Sequence, residues 1–270
     1  MLTRHTMKLR YLSDLHLEFI KPNKLAKFME KIKPTSENEV LILAGDIGYP
    51  TKSYYKEFIK HVSSQFQQTF VIMGNHEYYN KKGYNMEENK NRAKIICDEM
   101  TNVKLLDNEY VQYNGYCIIG TTLWSHISDA SYPINDVFSI PDMTIKRYNR
   151  LNKEAVEFLT KAVEENEKCI ITTHHLPSKR FIAPKYLTRQ YLPYNQWFYC
   201  DMDDFINKYQ NKIECWFYGH THTASLDYLY GIPFCCNPIG YPNENPVVDF
   251  NTIIEFSGEP TVPPDTPSLN

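Results

Sequence analysis

The sequence predicts an α/β fold, a two-sheet mixed β-sandwich flanked by helices in the layer order αββα. Three features carry this expectation. Short apolar runs recur and end abruptly in polar, glycine-containing turns. Amphipathic stretches of helical length separate the early runs, and in two later regions strand-like runs follow one another closely. Short apolar runs bounded by turn residues read as strands inside a sheet. Strand–helix–strand repetition implies parallel βαβ units, and closely spaced strands read as antiparallel additions.

In chain order, Met7 to Ser13, Val40 to Ala44 and Phe70 to Met73 are the first strands. Between and after them, Lys24 to Ile32, Tyr54 to Phe66 and Met86 to Met100 have helical character; the first places Leu25, Phe28, Met29 and Ile32 on one stripe. Strands then crowd together at Lys104 to Leu106, Tyr110 to Tyr113 and Tyr116 to Gly120. Arg147 to Glu164 is the clearest helix, with Leu151, Ala155, Phe158, Leu159 and Ala162 along one side. Cys169 to Thr173 and Cys215 to Tyr218 are further buried strands, and Leu226 to Leu229, Ile232 to Cys236 and Thr252 to Phe256 complete the set. With no repeat and no linker in the sequence, residues 1–258 read as a single domain. Residues 259–270, rich in Pro, Ser and Thr, read as a flexible tail. Two long segments, Thr122 to Ile145 and Leu176 to Cys200, lack clear structure; loops of that length are often functional.

Composition narrows the function. A formal net charge of −3 does not fit a chain that binds nucleic acid through overall basicity. No apolar run approaches the ~20 residues of a membrane span. The seven cysteines are odd in number, form no CxxC pair and mostly sit in apolar runs, as buried thiols in a reducing compartment do. The expectation is a cytoplasmic protein without cysteine metal sites and without a membrane partner.

Chemistry concentrates in five clusters, each following an apolar strand: Asp14-Leu15-His16, Gly45-Asp46, Gly74-Asn75-His76-Glu77, Thr173-His174-His175 and Gly219-His220-Thr221-His222. Sites in α/β sheets form beyond the carboxyl ends of strands, so strands sharing a direction would bring all five to one rim. Residues two apart in an extended segment face the same way, which pairs Asp14 with His16 and His220 with His222. The glycines before Asp46, Asn75 and His220 permit close backbone approach. Imidazole plus carboxylate without thiolate suits Mn, Fe, Zn or Co, and the set is too large for one ion. A carboxylate bridging two ions ~3.5–4 Å apart would use it all. Any one cluster alone has an ordinary reading: a turn, a helix cap, a satisfied loop histidine. Six of the nine histidines lie in these clusters; His5, His61 and His126 read as ordinary surface or partly buried residues.

The order DxH, GD, GNH(D/E), a lone His and GHxH resembles the calcineurin-like metallophosphoesterase superfamily, across residues 7 to about 240. The resemblance implies two divalent ions, drawn from Mn, Fe, Zn, Ni, Co or Mg. One would be held by Asp14, His16 and His222, the other by Asn75, His174 and His220, with Asp46 bridging. It implies hydrolysis of a phosphoester by a metal-bridging hydroxide, with His76 assisting the leaving oxygen. Glu77 would orient His76, and His175 would approach the substrate or back the ligands.

Substrate choice is expected in the two long loops. Lys179, Arg180, Lys185 and Arg189 stand among Tyr186, Tyr191, Tyr194, Trp197, Phe198 and Tyr199. Cations there would hold extra phosphates and aromatics would stack a base, as for a nucleotide-like phosphoester. The alternatives are a metal-dependent DNA or RNA nuclease, disfavoured by the charge, and a non-catalytic metal-binding scaffold, disfavoured by the complete ligand set.

Overall fold

The computed structural model describes residues 6–79, 83–244 and 248–257; the segment read as a tail lies outside the described residues. The elements run β1 (Thr6–Leu12), α1 (Pro22–Met29), β2 (Glu39–Ala44), α2 (Ser53–Gln65), β3 (Gln68–Ile72), α3 (Met86–Asp98), β4 (Val103–Leu105), β5 (Glu109–Tyr113), β6 (Tyr116–Thr121), α4 (Asn135–Ser139), α5 (Ile145–Glu165), β7 (Cys169–Thr173), α6 (Asp203–Tyr209), β8 (Ile213–Tyr218), β9 (Ser225–Leu229), β10 (Ile232–Cys236) and β11 (Ile253–Ser257). One sheet has the order β11-β1-β2-β3-β4 and the other β5-β6-β7-β8-β10-β9.

Side-chain alternation along the strands builds the four layers. In β2, Val40 and Ile42 turn inward and meet Ile118, Ile170, Cys215 and Phe217 of the second sheet. Leu41 and Leu43 turn outward beneath Tyr55, Phe58, Ile59 and Val62 of α2. The second sheet is covered likewise: Ile119, Ile171 and Trp216 pack under Ala155, Leu159 and Ala162 of α5 and Ile206 of α6. This is the expected αββα sandwich.

Strand direction departs from expectation in the later half. β4 pairs parallel with β3, β6 with β7, and β10 with β8. Among the described residues only the edge strands β5, β9 and β11 pair antiparallel. Two of these arise from tight hairpins. Asn114-Gly115 and Tyr230-Gly231 each place two residues at positive φ, the twist that matches flanking antiparallel strands. The long segments are not featureless: α4 lies in the first, and short 3-10 turns at Lys179–Phe181, Pro184–Tyr186 and Leu192–Trp197 lie in the second.

The five clusters therefore follow strands of two sheets: β1, β2 and β3 in one, β7 and β8 in the other. Their carboxyl ends are stitched into one rim by the backbone. Asp14 N–H donates to the Gly45 carbonyl (3.0 Å) and Gly219 N–H to that of His174 (3.0 Å). Across the sheets, Ile239 and Gly240 N–H donate to the Ser13 and Asp14 carbonyls, and the Thr122 hydroxyl to that of Met73 (2.8 Å).

Candidate metal centre

Asp14, His16, Asp46, His220 and His222 all have φ between 46° and 67°, in the left-handed region. Such a conformation costs an L-residue roughly 1–2 kcal/mol, and strain of this kind gathers at functional sites. It also replaces the extended alternation expected of Asp14/His16 and His220/His222. Both pairs lie past their strand ends and reach one centre through left-handed turns. The glycines act by closeness: a Cβ on Gly74 would lie 2.2 Å from Asp46 Oδ1, and one on Gly45 2.4 Å from His174 Nδ1.

All seven candidate ligands converge. Asp14, His16, Asp46 and His222 form one group, and Asp46, His174 and His220 another; within each, the ligand atoms lie within 4.8 Å of one another. Asp46 belongs to both. His16 Nε2 lies 3.7 Å from Asp46 Oδ2, and His174 Nε2 lies 3.4 Å from Asp46 Oδ1. His222 Nε2 is 3.4 Å from Asp14 Oδ1 and 3.0 Å from His16 Nε2. Asn75 joins the second group, its Oδ1 2.9 Å from His174 Nε2.

These residues fit divalent ions. Partners behind the rings hold Nδ1 and leave Nε2 toward the centre: Glu18 for His16 (3.0 Å), Glu244 for His222 (2.6 Å) and the Ala44 carbonyl for His174 (2.9 Å). This is how metal-binding histidines are oriented. Asn75 is fixed the same way, since its Nδ2 donates to Asp136 Oδ1 (2.7 Å) and so turns its carbonyl oxygen inward. His220 Nε2 is buried with no hydrogen-bond partner among the described residues. Burial, then His175 and His174, hold that imidazole well below its ordinary pKa, so it is neutral and offers a lone pair.

The field at the centre asks for cations. Burial opposes charge on His222, yet Asp14 and Glu244 outweigh it and push the pKa up to about 10. His174 reaches about 9 against burial, chiefly through Asp46. Burial opposes the Asp46 anion too, but His174 and His76 hold its carboxyl well below the usual range. Dications and these imidazole protons would compete for the same carboxylates.

His76 stands beside this set. Its Nδ1 lies 3.0 Å from Glu18 Oε1, its Nε2 lies 3.1 Å from the Tyr241 hydroxyl, and Tyr79 stacks on its ring at 4.1 Å. The carboxylate against His76 is therefore Glu18, where the sequence pointed to Glu77. Glu77 accepts instead from the backbone amides of Asp46 (3.1 Å), Ile47 (2.6 Å), Gly48 (3.2 Å) and Gly74 (2.7 Å), tying the turns after β2 and β3 together. His175 faces the Thr122 carbonyl (3.3 Å) and the Tyr148 hydroxyl (3.1 Å), with its ring 4.3 Å from that of His220. Both its nitrogens are engaged away from the centre, so it backs His220.

Four contributors do not figure among the residues that the sequence places at the site: Glu18, Tyr79, Tyr241 and Glu244. Glu18 had a local signal, two residues past His16 in Asp-Leu-His-Leu-Glu. A cavity of about 580 Å³ opens beside the centre, lined on one side by Asp46, Asn75, His76, His220 and His222 and on the other by residues of the two long loops.

This sandwich, with a histidine- and carboxylate-rich rim, defines a class, and a family model names it: the description calcineurin-like phosphoesterase matches residues 7–224. The chain belongs to the calcineurin-like phosphoesterase family. Uncharacterized protein L509 of Acanthamoeba polyphaga mimivirus is 32% identical over 263 residues, spanning 87% of this chain and 92% of that protein. Among solved structures, the phosphopantetheinyl hydrolase of Mycobacterium tuberculosis superposes with a TM-score of 0.74 at 18% identity, across 96% of this chain and 98% of that one. TT1561 of Thermus thermophilus does so at 0.54 and 13%, across 94% and 100%. At such identities these two structures speak for the fold alone.

Proposed function

We propose that the chain is a dinuclear metal-dependent hydrolase of phosphoesters. The observation that carries this is the sharing of Asp46 between two ligand groups, each otherwise supplied by different residues. Asp14, His16 and His222 would hold one ion, Asn75, His174 and His220 the other, and Asp46 would bridge. Bound there, two divalent ions would supply Lewis acidity toward phosphoryl oxygens and make water acidic enough to attack phosphorus.

The chain's own residues then divide the remaining work. Glu244, Glu18 and Asp136 orient His222, His16 and Asn75 and keep their donor atoms aimed inward. Glu18 also holds the Nδ1 proton of His76, so that Nε2 carries the proton available to a departing oxygen. The Tyr241 hydroxyl, 3.1 Å from that nitrogen, marks a place where such an oxygen would hydrogen-bond. Burial opposes protonation of His76, but in the metal-free protein Asp46 and then Glu18 outweigh burial and raise its pKa above the ordinary value.

The test is turnover of p-nitrophenyl phosphate and bis(p-nitrophenyl) phosphate by chelator-stripped protein, resupplied in turn with Mn, Fe, Zn, Ni, Co and Mg. Hydrolysis restored by at least one metal is expected, and its preference between the two esters assigns mono- or diesterase character. No turnover with any metal, despite binding, would favour a scaffold.

A further inference from the structure

The cavity beside the metal centre has two unlike walls. One is the rim of candidate ligands. The other is Leu176, Ile182, Tyr186, Tyr191, Tyr194 and Phe198. The second wall begins at the centre itself, because the Phe198 ring lies 4.7 Å from that of His220. A volume of about 580 Å³ holds a sizeable organic group beyond one phosphate.

Charge decides what that group is. Among the described residues no lysine or arginine lines the cavity; histidines aside, the charged residues that do are Asp46 and Glu244, both acidic. The loop cations that the sequence offered for extra phosphates stand outside the lining, Lys185 at its edge beside Tyr186 and Glu244. Arg180 pairs with Asp203 at 2.8 Å. Lys179 is exposed, and Lys185 is exposed with its ammonium 4.8 Å from the centre of the Tyr186 ring. Arg189 lines a neighbouring depression with Tyr132, Thr188 and Tyr194, the last shared with the cavity wall. A second phosphate carried into this cavity would lose water against its apolar and aromatic wall, meet no lysine or arginine of the lining among the described residues and face Glu244, a burial of charge with little compensation.

We propose that the substrate's organic arm is uncharged and largely apolar or aromatic, with no anionic group beyond the scissile phosphate. This rests on the phosphoesterase reading and narrows it, and it weighs against a polyanionic nucleic acid as substrate.

Three p-nitrophenyl esters test it on the metal-loaded protein: the methyl phosphodiester, the thymidine 5′-phosphodiester, and the same thymidine ester bearing a 3′-phosphate. The last two differ by one phosphate on the arm. Expected is a kcat/KM on the order of ten-fold higher for the uncharged thymidine arm than for its 3′-phosphorylated form. Tyr191→Lys places a cation on an exposed part of the wall and should shrink that ratio. Lys185→Ala should leave the ratio where it was. Equal or reversed preference in the wild type, with the methyl ester turned over, would overturn the inference alone. No turnover of any of the three, nor of p-nitrophenyl phosphate, would overturn the phosphoesterase reading and the inference with it.

Discussion

His76 and Glu18 act as a unit at the residue scale. Glu18 Oε1 lies 3.0 Å from both His16 Nδ1 and His76 Nδ1, so one carboxylate aims a candidate ligand and the candidate acid. His76→Ala should leave both metals bound. It should slow esters with poor leaving groups by ~10²–10⁴-fold, with a smaller effect on p-nitrophenyl esters. Equal loss on both ester types would reduce His76 to electrostatic positioning, and loss of metal would make it a ligand. Glu18→Gln should show the same dependence on leaving group, weaker, at ~10–100-fold. In a His76→Ala background its leaving-group dependence should vanish, leaving only a loss of metal affinity through His16. The local pattern around residues 14 to 18 made the ligands legible, whereas Tyr241 and Glu244 were hidden. Tyr241 meets His76 across 165 positions and Glu244 meets His222 across 22, separations with no periodic signature.

At the scale of elements, β1 and β2 are locked by a buried ion pair. Arg10 Nε and Nη2 donate to Glu39 Oε2 at 2.9 and 2.8 Å, and both side chains are fully buried. Glu39 Oε1 takes the amides of Thr35 (2.8 Å) and Ser36 (2.7 Å), and Arg10 also donates to the Phe250 carbonyl, reaching toward β11. Burial opposes the Glu39 anion, but Arg10 and these loop donors outweigh it and hold its pKa below the ordinary 4.5. A lowered folded pKa means stability present above the unfolded value and lost as pH falls through the folded one. Glu39→Gln should therefore cost about 3–5 kcal/mol at pH 7. Urea unfolding should show the gap between wild type and variant shrinking as pH falls below 4.5; a gap that stays constant with pH would remove the ion pair from the explanation. The strands themselves were legible because each apolar run is local. The directions of β4, β6 and β10 were not, because they depend on distant partners; only a turn such as Asn114-Gly115 announces an antiparallel neighbour within its own residues.

At the scale of the whole molecule, the centre spans both sheets. Asp14, His16, Asp46 and Asn75 come from the β1–β3 side, and His174, His220 and His222 from β7 and β8. Metal should thus brace one sheet against the other. Free metal a thousandfold above its Kd should stabilise the fold by about 4 kcal/mol relative to chelated protein. Identical urea midpoints with Mn and with chelator would place the ions outside the folded rim. The central claim is that Asp46 serves two ions at once, and metal stoichiometry tests it most directly. Chelator-stripped wild type and Asp46→Asn, each dialysed against Mn and analysed for bound metal, should hold two ions per chain and fewer than one, respectively. A single ion in the wild type, or two ions retained in Asp46→Asn, would contradict it.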